Sequence, residues 1–414
     1  MKLALLGADD KTLPLVRHAL EHGRHEIVLL TEEDLAGLET DSTRRLRGML
    51  PARTPEMGWE SVLAGRLVDA VIVARGEDQE LRAEELRKLV QAGVPMLVAH
   101  PVLDSMLVYY ELDMIRRESG CVIVPNMPWR WHPAAAQLAA LIAAGDEPPL
   151  GGVGQVVFER ALRQRDKAAV AAQFACDVDL IRATFGDITK LSAHGAPADE
   201  ATYANLGVQM SGPGPIVVRW SVSPVEVAPL GRLTVVGQHG KAVLHMPEAD
   251  PWRLETRCDG QEDSESFLQW NAASAAFDEL AAAIEGDPLR ADWPQAARAV
   301  ELAEAIDRSL AKGRTIELHN EEFTDIGTFK GTMTSLGCGL LLAGLCAMLG
   351  VGIVELIARK QGAIKLADAL RFWPYWLVGF LLVFLLIQLI LKLAASERDS
   401  TKSSGSADGT PGGR

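Results

Sequence analysis

The stretch Lys2-Leu3-Ala4-Leu5-Leu6-Gly7-Ala8-Asp9-Asp10-Lys11-Thr12 decides how this chain is read. The continuous apolar run from Leu3 to Leu6 fits a strand buried on both faces, because a half-exposed strand would alternate. Gly7 opens a turn, and Leu13, Val16 and Leu20 then fall on one face of a helix over 13–22. A strand, a turn and a helix in this order commonly cradle phosphate in the pattern G-x-G-x-x-G, whose glycines let backbone approach the ligand at the helix N-terminus. Here only the first glycine is kept. Asp9 stands at the second, where its carboxylate faces phosphate oxygens and its bulk fills their space. Lys11 offsets part of that charge and restores none of the space.

Working outward, further strands are expected over 25–30, 68–74, 95–99 and 121–125. Helices are expected near 60–64 and over 81–92 and 103–118. Strands alternating with helices call for a parallel sheet with right-handed crossovers. Residues 1–131 therefore read as a Rossmann-like, doubly wound domain of nucleotide-binding type. From Val153 the pattern changes. Strands are expected over 153–162, 189–194, 203–210, 215–222, 232–237 and 241–245, with hairpin loops at Gly212-Pro213-Gly214 and Gln238-His239-Gly240. A helix is expected over 177–185, with Asp177 as its N-cap and Cys176 at its start. Later helices are expected over 277–284 and 294–311, the last with Pro294 in its first turn and Gly313 as its stop. Residues 132–318 thus read as an α+β lobe with an open, mainly antiparallel sheet.

The chain has 414 residues, a formal net charge of −14 and 6% aromatics, which argues against nucleic-acid binding. Its five cysteines show no CxxC and no zinc spacing, so no metal site is expected and the thiols read as reduced.

Beyond a linker at 319–333, Thr334 to Val354 and Phe372 to Leu391 carry no charged residue. About 20 apolar residues in a helix span a hydrocarbon core of ~30 Å. The expectation is a transmembrane helical hairpin, with helices over 334–357 and 372–393. Trp373, Tyr375 and Trp376 anchor the second helix at the interface, and Lys392 snorkels at its end. Basic residues are balanced on the two sides, so orientation rests on the apparent lack of a signal peptide. The expectation is a two-pass membrane protein with its body and both termini on the cytoplasmic side. The tail over 394–414 reads as disordered.

Several passages carry a family resemblance over roughly residues 1–318. These are Val68-Asp69-Ala70-Val71-Ile72-Val73, Arg130-Trp131-His132-Pro133, Leu233-Thr234-Val235-Val236-Gly237 with Gly240, and Ala305-Ile306-Asp307-Arg308-Ser309 through Gly313-Arg314 to Glu317-Leu318. In this order they resemble the glucose–fructose oxidoreductase / inositol dehydrogenase (Gfo/Idh/MocA) family. The resemblance implies reversible hydride transfer between NAD or NADP and a sugar or cyclitol. It implies a Lys in E-K-P and an Asp and a His in D-x-x-x-H as the groups that handle the proton. Here the first motif reads Ala99-His100-Pro101 and the second Ala172-Gln173-Phe174-Ala175-Cys176.

His100 and Cys176 are therefore the candidate catalytic groups, each also readable as structural. An imidazole titrates near neutrality, and a thiol becomes reactive if its pKa is lowered. Candidate cofactor-binding positions are Gly7, Lys11, Glu32, Ala74 and His100; Glu32 or the adjacent Glu33 sits where a ribose-binding acid would follow the second strand. Arg130 and His132 read either as anion ligands or as residues that orient the lobe junction. Two functions stay open. One is an oxidoreductase-like enzyme with altered groups and a sugar-like substrate. The other is a catalytically silent ligand sensor or assembly module at the bilayer. Self-association is expected through the open sheet of the second lobe, which would otherwise expose an apolar patch.

Overall fold

The computed structural model describes residues 1–23, 25–29, 59–64, 67–195, 202–203, 205–225, 230–248, 251–318 and 353. The chain divides into two compact units, Met1–His319 and Asn320–Arg414. The expected linker, membrane hairpin and tail, together with Glu32 and Glu33, lie outside the described residues apart from Ile353. Among the described residues no helix is long and apolar enough to cross a membrane.

In the first unit, β1 (Lys2–Leu6), β2 (Glu26–Leu29), β3 (Ala70–Val73), β4 (Met96–Ala99) and β5 (Ile123–Asn126) form a five-stranded sheet in the order β2-β1-β3-β4-β5. All its pairings are parallel. Chain order reverses between β1 and β3, which makes that gap the topological switch point where such sheets bind ligands. The connecting helices are α1 (Leu13–His22), α2 (Gln79–Gln91) and α3 (Met106–Ser119); Trp59–Ala64 is a 3-10 helix. Gly23 and Gly120 end α1 and α3 in the left-handed conformation.

The next helices, α4 (Pro128–Trp131) and α5 (Pro133–Ala143), both begin at a proline, where no N–H is missed. The second sheet has nine strands in the order β13-β12-β11-β10-β6-β9-β8-β7-β14. They are β6 (Val153–Leu162), β7 (Lys190–His194), β8 (Gly207–Ser211), β9 (Val217–Pro224), β10 (Leu230–Gly237), β11 (Gly240–Pro247), β12 (Arg253–Cys258), β13 (Gln261–Ser266) and β14 (Ile316–Glu317). One pair, β6 with β9, is parallel, so the sheet is mixed rather than a simple run of antiparallel neighbours. Both expected hairpin loops join antiparallel pairs, β8 with β9 and β10 with β11.

Helix α6 (Lys167–Phe185) packs on the inner face of this sheet. It starts ten residues earlier than the sequence pattern suggests, because Asp166, not Asp177, is its N-cap and accepts from the Ala169 N–H at 2.9 Å. Asp177 is fully buried in mid-helix. The outward face of the sheet is mixed: Gln209, Arg219, Ser221, Glu159, Arg232 and Lys241 stand on it beside Val157, Val236 and Val243.

Helices α7 (Ala272–Glu285) and α8 (Trp293–Lys312) join the lobes. Phe277, Trp293 and Ala296 belong to the core under the first sheet. Leu302, Ala305 and Ile306, further along α8, belong to the core under the second.

Candidate functional site

The loops at the carboxyl ends of β1, β3 and β4 are tied to one another by their own side chains. One oxygen of Asp9, Oδ1, accepts from the backbone N–H of Lys11 at 3.0 Å and of Thr12 at 2.7 Å, and from the Thr12 hydroxyl at 2.9 Å. The other, Oδ2, accepts from the Arg75 N–H at 2.9 Å. The carboxylate thus spans the switch point from β1 to the end of β3. The Arg75 guanidinium in turn grips both oxygens of Asp104 at 2.7 and 2.6 Å. The Asp104 N–H donates to Gln79 Oε1 at 3.0 Å.

Beneath this loop Gly7 sits at φ +78°, and a Cβ there would lie 2.7 Å from Arg82 Nη2 and 3.2 Å from the Ala74 Cβ. Glycine is needed both for the backbone angle and for the buried guanidinium beside it. Gly7 and Ala74, both expected at the cofactor, are therefore neighbours under the loop.

Lys11, His100 and Cys176, which lie on three distant segments, also converge. The Lys11 ammonium donates to the His100 carbonyl oxygen and to Cys176 Sγ, the latter at 3.2 Å. The Cys176 thiol lies 3.4 Å from the same carbonyl. The His100–Pro101 peptide bond is cis. The His100 ring is 2% exposed, and neither ring nitrogen reaches full hydrogen-bond geometry with a described residue. Burial, with help from the nearby Lys11 cation, lowers its pKa to about 3; the backbone of Ala175 opposes this weakly. The ring is neutral at physiological pH.

Cys176 does not sit at a helix start but in the middle of α6, so it gains nothing from a helix N-terminus. Burial raises its pKa, and Lys11 counters only part of that shift. It is a thiol, not a poised thiolate.

Asp177 and Asp179 hold the junction. Arg160, on β6, forms a two-pronged ion pair with Asp177, its Nε lying 3.0 Å from Oδ2. Trp220 Nε1 donates to that same oxygen at 2.9 Å and Gln173 to Oδ1 at 3.2 Å. Opposite Arg160 in the sheet stands Gly231, where a Cβ would come within 2.4 Å of the guanidinium. Arg130 is committed to Asp179, with Nε 3.0 Å from Oδ1. Burial raises the Asp179 pKa and the arginine opposes it.

His132 caps α5 by accepting from the Ala134 N–H at 3.1 Å, and it stacks on Trp252 with ring centroids 4.1 Å apart. Burial lowers its pKa to about 4. Of the two readings of Arg130 and His132, the contacts are those of residues that orient the junction.

These groups surround a cleft of about 980 Å³ between the lobes. Its lining includes Lys11, His100, Gln173 and Cys176, and an aromatic wall of Trp129, Trp252, Phe267 and Trp270. That aromatic wall was not foreseen. Nor were Arg75 and Asp104, which only the loop geometry brings to the crevice. Among the described residues no group of His, Cys, Asp or Glu could hold a metal ion.

No family model and no curated relative matches the chain. Its fold, however, is found among solved structures. An aldose-aldose oxidoreductase from Caulobacter crescentus complexed with glycerol matches at TM-score 0.62 and 17% identity, covering 77% of this chain and 99% of that one. A UDP-N-acetylglucosamine 3-dehydrogenase from Acidithiobacillus ferrooxidans matches at 0.59 and 18%, covering 75% and 97%. A 3-ketoreductase from Actinomadura kijaniata in complex with NADP matches at 0.61 and 14%, also covering 75% and 97%. These neighbours are Gfo/Idh/MocA-type oxidoreductases. At such identities the likeness establishes a shared two-lobed fold over the first unit.

Proposed function

We propose that this chain is a membrane-anchored, two-pass protein whose cytoplasmic body keeps the oxidoreductase fold as a ligand-binding module and no longer transfers hydride from NAD or NADP. The observation that carries the reading is the Asp9 carboxylate. A pyrophosphate at the switch point needs the free N–H groups of the first turn and room beside them. Here those N–H groups, and that of Arg75, are already bound by a resident anion. A dinucleotide would have to displace Asp9, or place its phosphates within a few ångströms of a like charge. Lys11 reaches across the same region to the His100 carbonyl. The residues present do not fit the cofactor of the solved neighbours.

The sugar-like ligand is carried over from those neighbours, one described as an aldose-aldose oxidoreductase and another as a UDP-N-acetylglucosamine 3-dehydrogenase. An aromatic wall suits the apolar face of such a ring. Membrane anchoring rests on the charge-free runs of the sequence. Self-association through the outward face of the second sheet belongs to the same proposal.

A second reading, an enzyme with substituted groups, is favoured by one observation: the Lys11 ammonium and the Cys176 thiol meet at the backbone carbonyl of His100, in the lining of the cleft. The two readings part in a turnover assay. Full-length protein with NAD or NADP and a panel of aldoses and cyclitols is expected to give no reduction of the nicotinamide. Steady turnover with any of them, lost in His100→Ala, overturns the proposal in favour of the enzyme.

A further inference from the structure

The aromatic wall of the cleft is a surface fixed in advance. Trp129 lies on α4, Trp252 just ahead of β12, and Phe267 and Trp270 between β13 and α7. The Phe267 N–H donates to the Trp252 carbonyl oxygen at 3.0 Å, and Asn271 caps α7 by accepting from the Ser274 N–H at 2.9 Å. The segments that carry the rings are thereby held. Behind them His132, 1% exposed, stacks on Trp252 with centroids 4.1 Å apart. The same imidazole meets Trp270 at 4.3 Å and stands steeply to Phe267 at 5.2 Å. One buried ring thus backs three others.

The wall is larger than one sugar ring needs. Trp252 lies 6.3 Å from Trp129 and 6.5 Å from Trp270, centroid to centroid, with the planes tilted by 51° and 38°. Trp252 itself is buried, whereas Trp129 and Trp270 stay partly exposed in the cleft lining and offer two stacking positions. Leu268, 77% exposed, extends the apolar surface beside them. Clefts for drug-sized ligands measure about 300–1,000 Å³, and this one, at about 980 Å³, stands at the upper end. A single hexose fills only part of it. The rest of the lining sets the ligand's polarity. Glu21 and Glu248 share it with Lys11 and Arg17, and Gln173 and Asn271 add uncharged donors and acceptors. Charges of both signs favour a neutral ligand over an ion, and the polar side chains favour one that carries hydroxyls over an acyl chain.

We propose that the cleft binds a neutral glycan of at least two sugar units, with one ring stacked on Trp129 and another on Trp270. Stacking takes the apolar face of each ring and leaves its hydroxyls to the polar side chains of the lining. A second ring that finds an indole adds affinity, because the surface is already ordered and little freedom is lost on binding. The inference rests on the sugar-binding reading given above and supplies the ligand's length.

The test uses the full-length chain in a detergent without a sugar headgroup and follows binding by titration calorimetry. The probes are glucose and its dimers maltose and cellobiose. At least one dimer is expected to bind about tenfold or more tightly than glucose. Trp270→Ala is expected to bring the dimer down to the affinity of glucose and to leave glucose itself within about twofold. Trp270→Phe, which keeps a ring at that position, is expected to retain part of the gain, so a loss of stacking is told apart from a loss of folding. Equal affinity for glucose and both dimers overturns the inference and leaves the sugar-binding reading standing. Retention of the full preference in Trp270→Ala overturns it as well. The absence of saturable heat with all three sugars at millimolar concentration overturns the reading and the inference together.

Discussion

Asp177 shows how a residue's meaning changes with its surroundings. An aspartate ahead of an apolar run reads as a helix cap, and removing a cap costs about 1 kcal/mol. In the fold it is fully buried and paired with Arg160, 17 residues away on another element. Removing one partner of a buried pair costs about 3–5 kcal/mol, because the other charge is left uncompensated. Asp177→Asn is therefore expected to lower unfolding stability in urea by about that amount, and Asp166→Ala, at the actual cap, by about 1 kcal/mol. Equal losses at the two positions would contradict the assignment. His100 and His132 add a pH dependence of definite sign. Both have folded pKa values below 6.5, at about 3 and about 4. Below pH 6.5 the unfolded chain takes up protons that the folded chain refuses, so stability present above that pH is lost as the pH falls towards those values. At pH 5 the loss is about 2 kcal/mol for each ring. Urea midpoints measured from pH 7 to pH 5 should fall accordingly, and His100→Gln should remove about half of the slope. An unchanged slope in that variant would contradict the buried neutral ring.

At the scale of elements, the sequence was most legible where one physical signal dominates. The run Leu3–Leu6 and the shared face of Leu13, Val16 and Leu20 mark β1 and α1 closely, because continuous burial and a helical period each leave a local mark. The start of α6 left none, since its residues face packed neighbours on several sides and show little periodicity. The hairpin of β12 and β13 was missed because every residue of β13 is exposed and no alternation marks it. Its signal was the turn Asp259-Gly260, both residues at positive φ, a pair strongly favoured in two-residue hairpin loops. The site was legible in part for the same reason. Lys11, His100 and Cys176 stood out as departures from motifs, and they meet in space. Trp252, Trp270, Arg75 and Asp104 belong to no motif, and only tertiary structure gathers them. Gly231→Ala belongs at this scale too. With its Cβ 2.4 Å from the Arg160 guanidinium, it is expected to cost about 1–3 kcal/mol through strain across the β6–β10 pair, read as a lowered thermal midpoint.

At the scale of the molecule, helix α8 contributes to both cores and so couples the lobes that flank the cleft. The charge-free runs over 334–354 and 372–391 predict that the full chain stays with membranes through alkaline carbonate extraction and that a chain ending at residue 330 does not. Recovery of the full chain in the soluble fraction would contradict the anchor. If Asp9 closes the crevice where a dinucleotide would lie, equilibrium titration of the full-length protein with NADH and NADPH, read by nicotinamide fluorescence, shows it most directly. No saturable change is expected at millimolar cofactor, and a saturable shift at micromolar cofactor would contradict the closed crevice.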